Sequence, residues 1–484
     1  VKLVSSLPSE RAQSVMAEGG INAALNTKDE NDSPEEHFTD TIKAACGLAD
    51  PNAVWGMTQA APELVHWLLK LGVKFNMSGY DDVDLRNFGG QKKKRTAFAQ
   101  SDTGKQIMTA MIDAVRRKEA SGMVERFSHH SFLTLRLCGN ICCGCVIRDE
   151  YSQETVELPG DAVIVATGGM HGLFGNTTGS LSNTGEVTAE LFRLGVPLAN
   201  GEMIQYHPTT VKCGGKRMLI SEAARGEGGR LFAMKDGKQW YFMEEKYPEL
   251  GNLMPRDITA REIWKVSHES EVFLDMTEIS EEIISNKLSG LADDCMTYLH
   301  KDIRKEPVSV LPGIHYFMGG ILVDEQHRTP IQNLCAAGEC CAQYHGANRL
   351  GGNSLLGALY GGRVAAKSAC EQADVVDLSC ATQIDFPPAS QISEIKQLNK
   401  VMQETMGVVR NENTLLNGIK TVQALTGNLP LLGMAVLKSA LARKESRGAH
   451  WREDYPKSNE PDLMESRYRF PLYLFQKGGD SLGI

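Results

Sequence analysis

Asp161-Ala162-Val163-Ile164-Val165-Ala166-Thr167-Gly168-Gly169 is a short, unbroken apolar run closed by a hydroxyl and two glycines. Such a run predicts a strand buried on both faces of a parallel sheet, with a ligand at its carboxyl end. Just upstream, residues 131–158 alternate apolar and polar positions around Gly139-Asn140 and Asp149-Glu150, the pattern of a hairpin or meander. Further back, Ser33-Pro34-Glu35-Glu36 supplies a cap, a first-turn proline and an acid at the third position, for a helix running to about Gly47. Two more helical patterns follow, 51 to about 60 and 62 to 70, the second closed by Gly72. Downstream, residues from about 208 to 320 change character, with helices, isolated strands and a charged stretch, and read as an insertion. The glycine-rich pattern resumes at 333–362, Pro387-Pro388 marks a linker, and 391–447 is helical with Gly407, Gly418 and Gly427 as breaks. The remaining C-terminal residues are polar and aromatic, without a period.

Composition bounds the class. A chain of 484 residues is long enough for roughly two to four domains, and 42% hydrophobic with 23% charged residues excludes disorder. A net charge of −9 argues against a general nucleic-acid binder. Lys92-Lys93-Lys94 fits a solvated loop edge. No apolar run approaches the ~20 residues a bilayer span needs, and no signal peptide is expected within this chain. Val1-Lys2-Leu3-Val4 reads as a strand entered mid-stride, so an upstream segment is expected to be missing. The 12 Cys are scattered as reduced buried thiols would be, which points to the cytoplasm. Cys142 and Cys145 have C-x-x-C spacing beside Cys138 and Cys143, but no second pair lies at ligand spacing and the segment alternates like a strand, so no metal site is expected.

Four glycine clusters could approach a flat or anionic ligand: Glu18-Gly19-Gly20, Thr167-Gly168-Gly169, Ala337-Gly338-Glu339 and Gly351-Gly352-Asn353-Ser354. Each alone reads first as a tight turn. Asn353-Ser354 is expected to cap a helix beginning at Leu355, placing its positive dipole end beside Gly351-Gly352. That arrangement suits a flavin, which gathers negative charge at N1 and O2 on reduction. The Gly-x-Gly-x-x-Gly fingerprint is absent, as truncation would make it. His207, Ser221, Glu222, Arg225, Arg256, His315, His345 and Arg349 form a set able to hold a small dicarboxylate, arginine as a bidentate fork and histidine as a directional donor. Taken singly, each reads first as a surface ion pair or a satisfied core residue.

Nine ordered stretches carry a resemblance across nearly the whole chain: SVMAEGGINAAL (14–25), NFGGQKKKRTAFAQSDTG (87–104), QYHPTT (205–210), SEAARGEGG (221–229), MPRD (254–257), GIHYFMGG (313–320), AAGEC (336–340), HGANRLGGNSLL (345–356) and ESRGAHWRED (445–454). They resemble the flavoprotein subunit of fumarate reductases and succinate dehydrogenases, with L-aspartate oxidase as a cousin. The resemblance implies an α/β fold: a glutathione-reductase-type FAD-binding domain in two segments (1–207 and 321–372), an inserted α+β capping domain (208–320), a helical domain (389–448) and an extension (449–484). It implies that His207, Ser221, His315 and Arg349 clamp the dicarboxylate and that Arg256 donates the proton as flavin N5 delivers hydride to fumarate. Glu222 and Arg225, at i and i+3, would resupply that proton. Guanidinium is a weak acid, so positioning must matter more here than a matched pKa. The implied cofactor contacts are Ser5, Ser14, Glu18, Gly19, Gly20, Ala166, Thr167, Gly168, Glu186, Glu339, Arg349, Ser354 and Leu355.

Departures from the family pattern are informative. Ser221 replaces the usual threonine and keeps the hydroxyl. Gln13 stands where membrane-bound relatives carry the histidine that attaches the flavin, which implies non-covalent FAD, a lower potential and a bias towards fumarate reduction. Glu18 matches the reductase pattern. Phe88 replaces the glutamate that receives the substrate amino group in aspartate oxidases, which disfavours an amino-acid substrate. Without a haem or cluster motif in the chain, the resemblance implies an iron–sulfur partner subunit, and a cytoplasmic protein reaching the membrane only through partners. Aspartate oxidation, reduction of another unsaturated acid, and a non-catalytic flavin electron carrier remain alternatives.

Overall fold

The computed structural model describes residues 1–79, 81–372, 386 and 391–458. The quoted apolar run forms the strand Val163–Val165, paired in parallel with Leu334–Ala336, and a second parallel pair joins Lys2–Ser5 to Glu125–Ser128. Parallel pairing brings the Thr167-Gly168-Gly169 and Ala337-Gly338-Glu339 turns out at the same end of the sheet. The expected burial on both faces fails at Ile164, which is 41% exposed. Val163–Val165 has one hydrogen-bonded neighbour, and the two-residue pleat turns Ile164 to an uncovered face while Val165 packs inward. The alternating segment forms the antiparallel meander His130–Cys138, Ile141–Asp149 and Thr155–Pro159, turning at Gly139-Asn140.

The Ser33 hydroxyl accepts from Glu36 N at 3.2 Å and starts the helix Pro34–Ala44. The two helices expected on either side of Pro62 are one, Pro51–Leu71. Proline inside a helix costs about 3 kcal/mol, because it removes one hydrogen bond and crowds the preceding turn. Met57, Leu64, Val65 and Leu68 are buried at helical spacing on both sides of it. Each contributes roughly 1.5–3 kcal/mol, so core packing outweighs the break. The helix beginning near the last glycine cluster is Asn353–Gln372, two residues earlier than expected. Asn353 does not cap it. Its Oδ1 accepts from Asn22 Nδ2 at 2.7 Å and lies 2.9 Å from His37 Nε2, while its Nδ2 donates to Thr41.

A second core draws on Ile220, Leu231, Ile263, Leu274 and Val308, behind the antiparallel sheet of Lys238–Trp240, Arg230–Lys235, Val272–Asp275 and Val308–Ser309. Ile204–Cys213 and Leu311–Phe317 pair as antiparallel strands next to it. The helices Ile392–Thr405, Glu412–Val422 and Asn428–Ala442 pack on Leu173, Phe174 and Phe317. Gly418 lies inside the second of these helices rather than breaking it, since a Cβ there would come 2.5 Å from Thr405 Cγ2. The glycine permits a close helix contact. Pro387-Pro388 and residues 459–484 of the expected C-terminal extension lie outside the described residues. The architecture is α/β, with glycine turns and the start of a long helix framing one end of the parallel strands.

Candidate active site

The pairing of Ile204–Cys213 with Leu311–Phe317 brings His207 opposite Gly313, and the His207 and His315 ring centroids lie 5.1 Å apart. His315 Nδ1 is 2.8 Å from Thr178 Oγ1 and His207 Nδ1 is 3.1 Å from Thr209 O. Burial, reinforced by Arg256, Arg225 and Arg349, pushes His207 well below the usual histidine range. Burial and the neighbouring His207 do the same to His315. Both rings are therefore neutral at pH 7, able to donate one hydrogen bond without adding charge.

Ser221 caps the short helix Glu222–Gly226, its Oγ accepting from Ala223 N, and its hydroxyl lies beside Glu18. The helical turn puts Arg225 Nη2 3.3 Å from Glu222 Oε1. Arg256 opens the helix Arg256–Val266 directly after Pro255, which has no N–H to lose there. Arg256 Nε and Nη2 donate to Glu222 Oε2 at 2.8 and 2.5 Å, and Gly89 N donates to Glu222 Oε1 at 3.1 Å. Burial alone would raise the Glu222 carboxyl, but Arg256 and Arg225 hold it below its ordinary value. A Cβ on Gly89 or Gly351 would strike this carboxylate, at 2.7 and 2.9 Å. The space beside Gly351, attributed above to ligand approach, is thus occupied by Glu222 and Phe88.

Arg349 is 3% exposed, its guanidinium lies 4.3 Å above the Tyr316 ring, and its Nε has no hydrogen-bond partner. Burial, then Arg256, lowers its pKa to about 9, so it stays charged at neutral pH. His345 stands edge-on to Tyr316 at 5.4 Å, with its Nδ1 also unpartnered. Three guanidinium groups (Arg225, Arg256 and Arg349) therefore converge here, and Glu222 is the carboxylate that pairs with Arg225 and Arg256. The structure brings together every member of the charged set singled out in the sequence.

The expected cofactor contacts fall at the end of the parallel strands and beside the long helix. Ala166 and Thr167 are exposed past the end of Val163–Val165, and Gly168 takes a φ of 73°, where a Cβ would meet Asn183 at 2.5 Å. Glu339 sits in the turn after Leu334–Ala336, its Oε1 accepting from Phe317 N at 3.1 Å. Ser354 and Leu355 lie in the first turn of Asn353–Gln372. Ser14 lies in the turn Gln13–Met16, and Gln13 Oε1 accepts from Ser180 N at 2.6 Å. Gly19 faces the Phe88 ring, and Gly20, at φ 136°, lies against Ala97. Glu18 is half-buried, but its Oε2 is fully shielded and unpartnered. Burial, with Asp294 nearby, raises its carboxyl to about 8. Ser5 ends Lys2–Ser5, and its hydroxyl donates to Leu7 O. Glu186 is exposed at the start of Glu186–Arg193 and has Arg148 and Glu150 of the meander as charged neighbours rather than any member of the clamp. Backbone turns with positive φ and a helix start suit a flat, anionic nucleotide cofactor, and the unmet Glu18 oxygen suits a hydroxyl or N–H donor on such a group.

Sequence reasoning gave no role to Gln205, Asn348, Gly89, Thr178 or Tyr316. Gln205 shares a strand face with His207, two residues on, and receives Arg256 Nη1 on its Oε1 at 3.1 Å. Its Nε2 donates to Asn348 Oδ1 at 2.9 Å and to Arg349 O at 2.8 Å. The two-residue strand period was the available signal. Among the cysteines, Cys142, Cys143 and Cys145 are free thiols, while Cys138 is disulfide-bonded, contrary to the all-reduced expectation. Burial raises Cys142 to about 12 and Cys145 to about 11. Among the described residues no three His, Cys, Asp or Glu side chains are grouped to hold a metal ion, and no helix is long and apolar enough to cross a membrane.

Comparison with known proteins accords with this geometry. Residues 1–355 match the FAD binding domain family, and residues 424–469 match the fumarate reductase flavoprotein C-terminal family. The chain is 37% identical to the succinate dehydrogenase flavoprotein subunit of Bacillus subtilis, with 98% of this chain and 92% of the relative covered. It is 32% identical to the L-aspartate oxidase of Pyrococcus furiosus, over 95% of this chain and 92% of that one. Among solved structures, a variant of the E. coli quinol fumarate reductase superposes with a TM-score of 0.86 at 26% identity, covering 95% of this chain and 88% of that chain. This chain belongs to the FAD-dependent oxidoreductase family of succinate dehydrogenase and fumarate reductase flavoprotein subunits.

Proposed function

We propose that this chain reduces fumarate to succinate as the flavoprotein subunit of a larger complex. The observation that carries the reading is the surplus of buried positive charge. Arg349 has an unmet donor, and Arg225 and Arg256 share Glu222. A small dianion is the ligand such a site lacks. In this reading Arg349, His207, His315 and Ser221 hold the two carboxylates. Arg349 supplies the charge, and the neutral histidines supply direction. The strand-end turns with Glu18, Gly19, Gly20, Ala166, Thr167, Gly168, Glu339, Ser354 and Leu355 would hold FAD, which would supply the hydride chemistry when bound. Arg256, gripped on two edges by Glu222 and Gln205, gives a proton to the neighbouring carbon as negative charge builds there. Glu222 and Arg225 return a proton to it. The unit at 208–320 closes over the pocket and excludes water, on the framework at 1–207 and 321–372, with 389–448 bracing it.

Gln13 makes the FAD non-covalent, because an amide cannot attack the flavin as an imidazole does. The lower potential of an untethered flavin favours fumarate reduction over succinate oxidation. Electrons enter from an iron–sulfur partner, and any membrane association of this cytoplasmic chain runs through its partners. Phe88, 1% exposed and filling the space beside Gly19 and Gly351, carries no carboxylate to pair with a substrate ammonium group, which argues against aspartate. The test is a matched pair of rates on the flavin-loaded protein, fumarate reduction with a low-potential artificial donor and succinate oxidation with an artificial acceptor. Fumarate reduction is expected to be the faster. Faster succinate oxidation would overturn the direction, and aspartate-dependent peroxide formation would overturn the substrate. On a denaturing gel the flavin fluorescence should leave the polypeptide.

A further inference from the structure

We propose that Asp257 is a positioning residue for Arg256, acting through Asn348 and Gln205; the inference rests on the proton-donor reading of Arg256 above. Three hydrogen bonds run in one sense from guanidinium to carboxylate. Arg256 Nη1 donates to Gln205 Oε1 at 3.1 Å, Gln205 Nε2 donates to Asn348 Oδ1 at 2.9 Å, and Asn348 Nδ2 donates to Asp257 Oδ1 at 3.0 Å. The polarity fixes both amides. Turning Gln205 over would set an NH2 against the guanidinium, and turning Asn348 over would set an oxygen against the Asp257 carboxylate. Arg256 and Asp257 are consecutive at the start of one helix, yet their side chains meet only by way of a strand residue and a loop residue. The chain thus closes a ring through the backbone between them, and the ring ties the Arg256 side chain to its own main chain.

Geometry shows why that matters. Glu222 holds the Nε and Nη2 edge of Arg256 through a single oxygen, Oε2. One oxygen is a pivot, about which the guanidinium plane can swing. Gln205 fixes the Nη1 edge and removes that freedom, but only if Gln205 is itself held. Its other end is held by Asn348 Oδ1 and Arg349 O, so the same amide also sets the spacing between the two arginines. Asp257 anchors the far end. It sits in the first turn of its helix, where burial raises its carboxyl and Arg261, one turn on with its guanidinium 4.2 Å above Trp451, and the helix start only partly offset that. A reacting group misplaced by an ångström can lose about 10²-fold in rate, so an anchor this remote can act on turnover while touching nothing that reacts.

The experiment uses the flavin-loaded protein with Asp257→Ala, Asp257→Asn, Asn348→Ala and the double Asp257→Ala/Asn348→Ala variant. Each is measured for fumarate kcat and KM, flavin content and melting temperature, and the crystal structures of the two single alanine variants are solved. Asp257→Ala and Asn348→Ala are expected to lower kcat by about tenfold or more with KM within about threefold. The double variant should lose no more than the worse single, since both cut one chain. Asp257→Asn keeps an acceptor oxygen and should retain most of the turnover. In the crystal structures Arg256 Nη1 should be displaced from Gln205. An unchanged kcat in Asp257→Ala, an Asp257→Asn variant as slow as the alanine, or a kcat loss matched by loss of flavin or melting temperature overturns the proposal. If Asp257→Ala does not fold, Asn348→Ala and Asp257→Asn decide it. A wild-type protein that reduces no fumarate overturns the functional reading instead. The structures then judge Asp257 alone, and an Arg256 still bonded to Gln205 in both alanine variants overturns its role.

Discussion

Two regions of this molecule bury arginines beside histidines, and they differ in what the arginines are given to hold. Around Glu202, Arg443 Nε reaches Glu202 at 2.5 Å and Arg443 Nη1 reaches Glu445 at 3.0 Å. Arg447 pairs with Glu445 at 2.9 Å, Arg452 pairs with Asp454 at 2.6 Å, and Arg410 donates to Glu202 O and His450. Carboxylates and carbonyls are interleaved with the guanidinium groups, and of the Arg410 nitrogens Nη2 is left without a partner. In the candidate active site Arg225 and Arg256 share the carboxylate of Glu222, and Arg349 beside them keeps an unpartnered Nε. Burial of an arginine is therefore no mark of function by itself. The mark is a surplus of charge, since Arg410 Nη2 in the first cluster is also buried without a partner, whereas at the candidate site three guanidinium groups gather where Glu222 alone is ion-paired to two of them, and such a surplus is stable only with a ligand or at a cost to folding.

The largest effects should fall on the unbalanced side. Arg256→Lys is expected to lower fumarate kcat about 10²–10⁴-fold with KM little changed, the loss of a positioned acid. Arg349→Lys should instead raise KM about 10–100-fold, since an ammonium cannot reproduce the planar fork. Glu222→Gln should slow turnover without altering dicarboxylate affinity. Steady-state kinetics at matched flavin content separates the three. An Arg256→Lys enzyme with normal kcat and raised KM would make Arg256 a binding residue and assign the proton elsewhere.

On the balanced side the same kind of change should strike folding. Glu445→Ala leaves Arg443 and Arg447 short of a buried partner and should destabilise the protein by about 3–5 kcal/mol in urea unfolding, with kcat per bound flavin within about twofold. If turnover fell further than stability explains, the two clusters would not be separable in function.

How much of this could be read from residues alone differs by level. The charged set was legible because each member lies in a motif, and chemistry limits what two arginines and two histidines can bind. The parallel strand was legible from Val163-Ile164-Val165, but the exposure of Ile164 was not, since pairing partners are set far away in sequence at Leu334–Ala336. Pro62 and Gly418 misled for one reason. Local propensity predicts a break, and tertiary packing of Leu64 and Thr405 decides otherwise. Asn353 misled because a residue suited to capping is equally suited to a buried network, and only the positions of Asn22, His37 and Thr41 choose between them. The Asp257–Asn348–Gln205 chain joins three segments and leaves no periodic trace.

A pair of glutamates sharpens the comparison with the smallest expected effect. Glu202 and Glu18 both have buried carboxylates, and their acidities are displaced in opposite directions. Burial would raise Glu202, but Arg443 and His450 pull it down to about 2. Glu18 is pushed up to about 8 by burial and by Asp294 and Asp102, which Arg86 only partly offsets. Linkage gives each a signature. Glu202 binds its proton less readily folded than unfolded, so its contribution is present above about pH 4.5 and is lost as pH falls towards 2. Glu18 binds its proton more readily folded, so its contribution is present below about pH 4.5 and is lost as pH rises towards 8. Glu18→Gln should therefore raise the melting temperature relative to wild type at pH 8 and hardly change it at pH 4. Glu202→Gln should lower it at pH 7, with the gap narrowing as the solution is made acid. The measurement is thermal unfolding of the three proteins across that range at equal flavin occupancy. Parallel curves for Glu18→Gln and wild type between pH 4.5 and 8 would mean that the Glu18 carboxylate finds a partner on ionising, and that its shielded oxygen is not the unmet acceptor a cofactor would need.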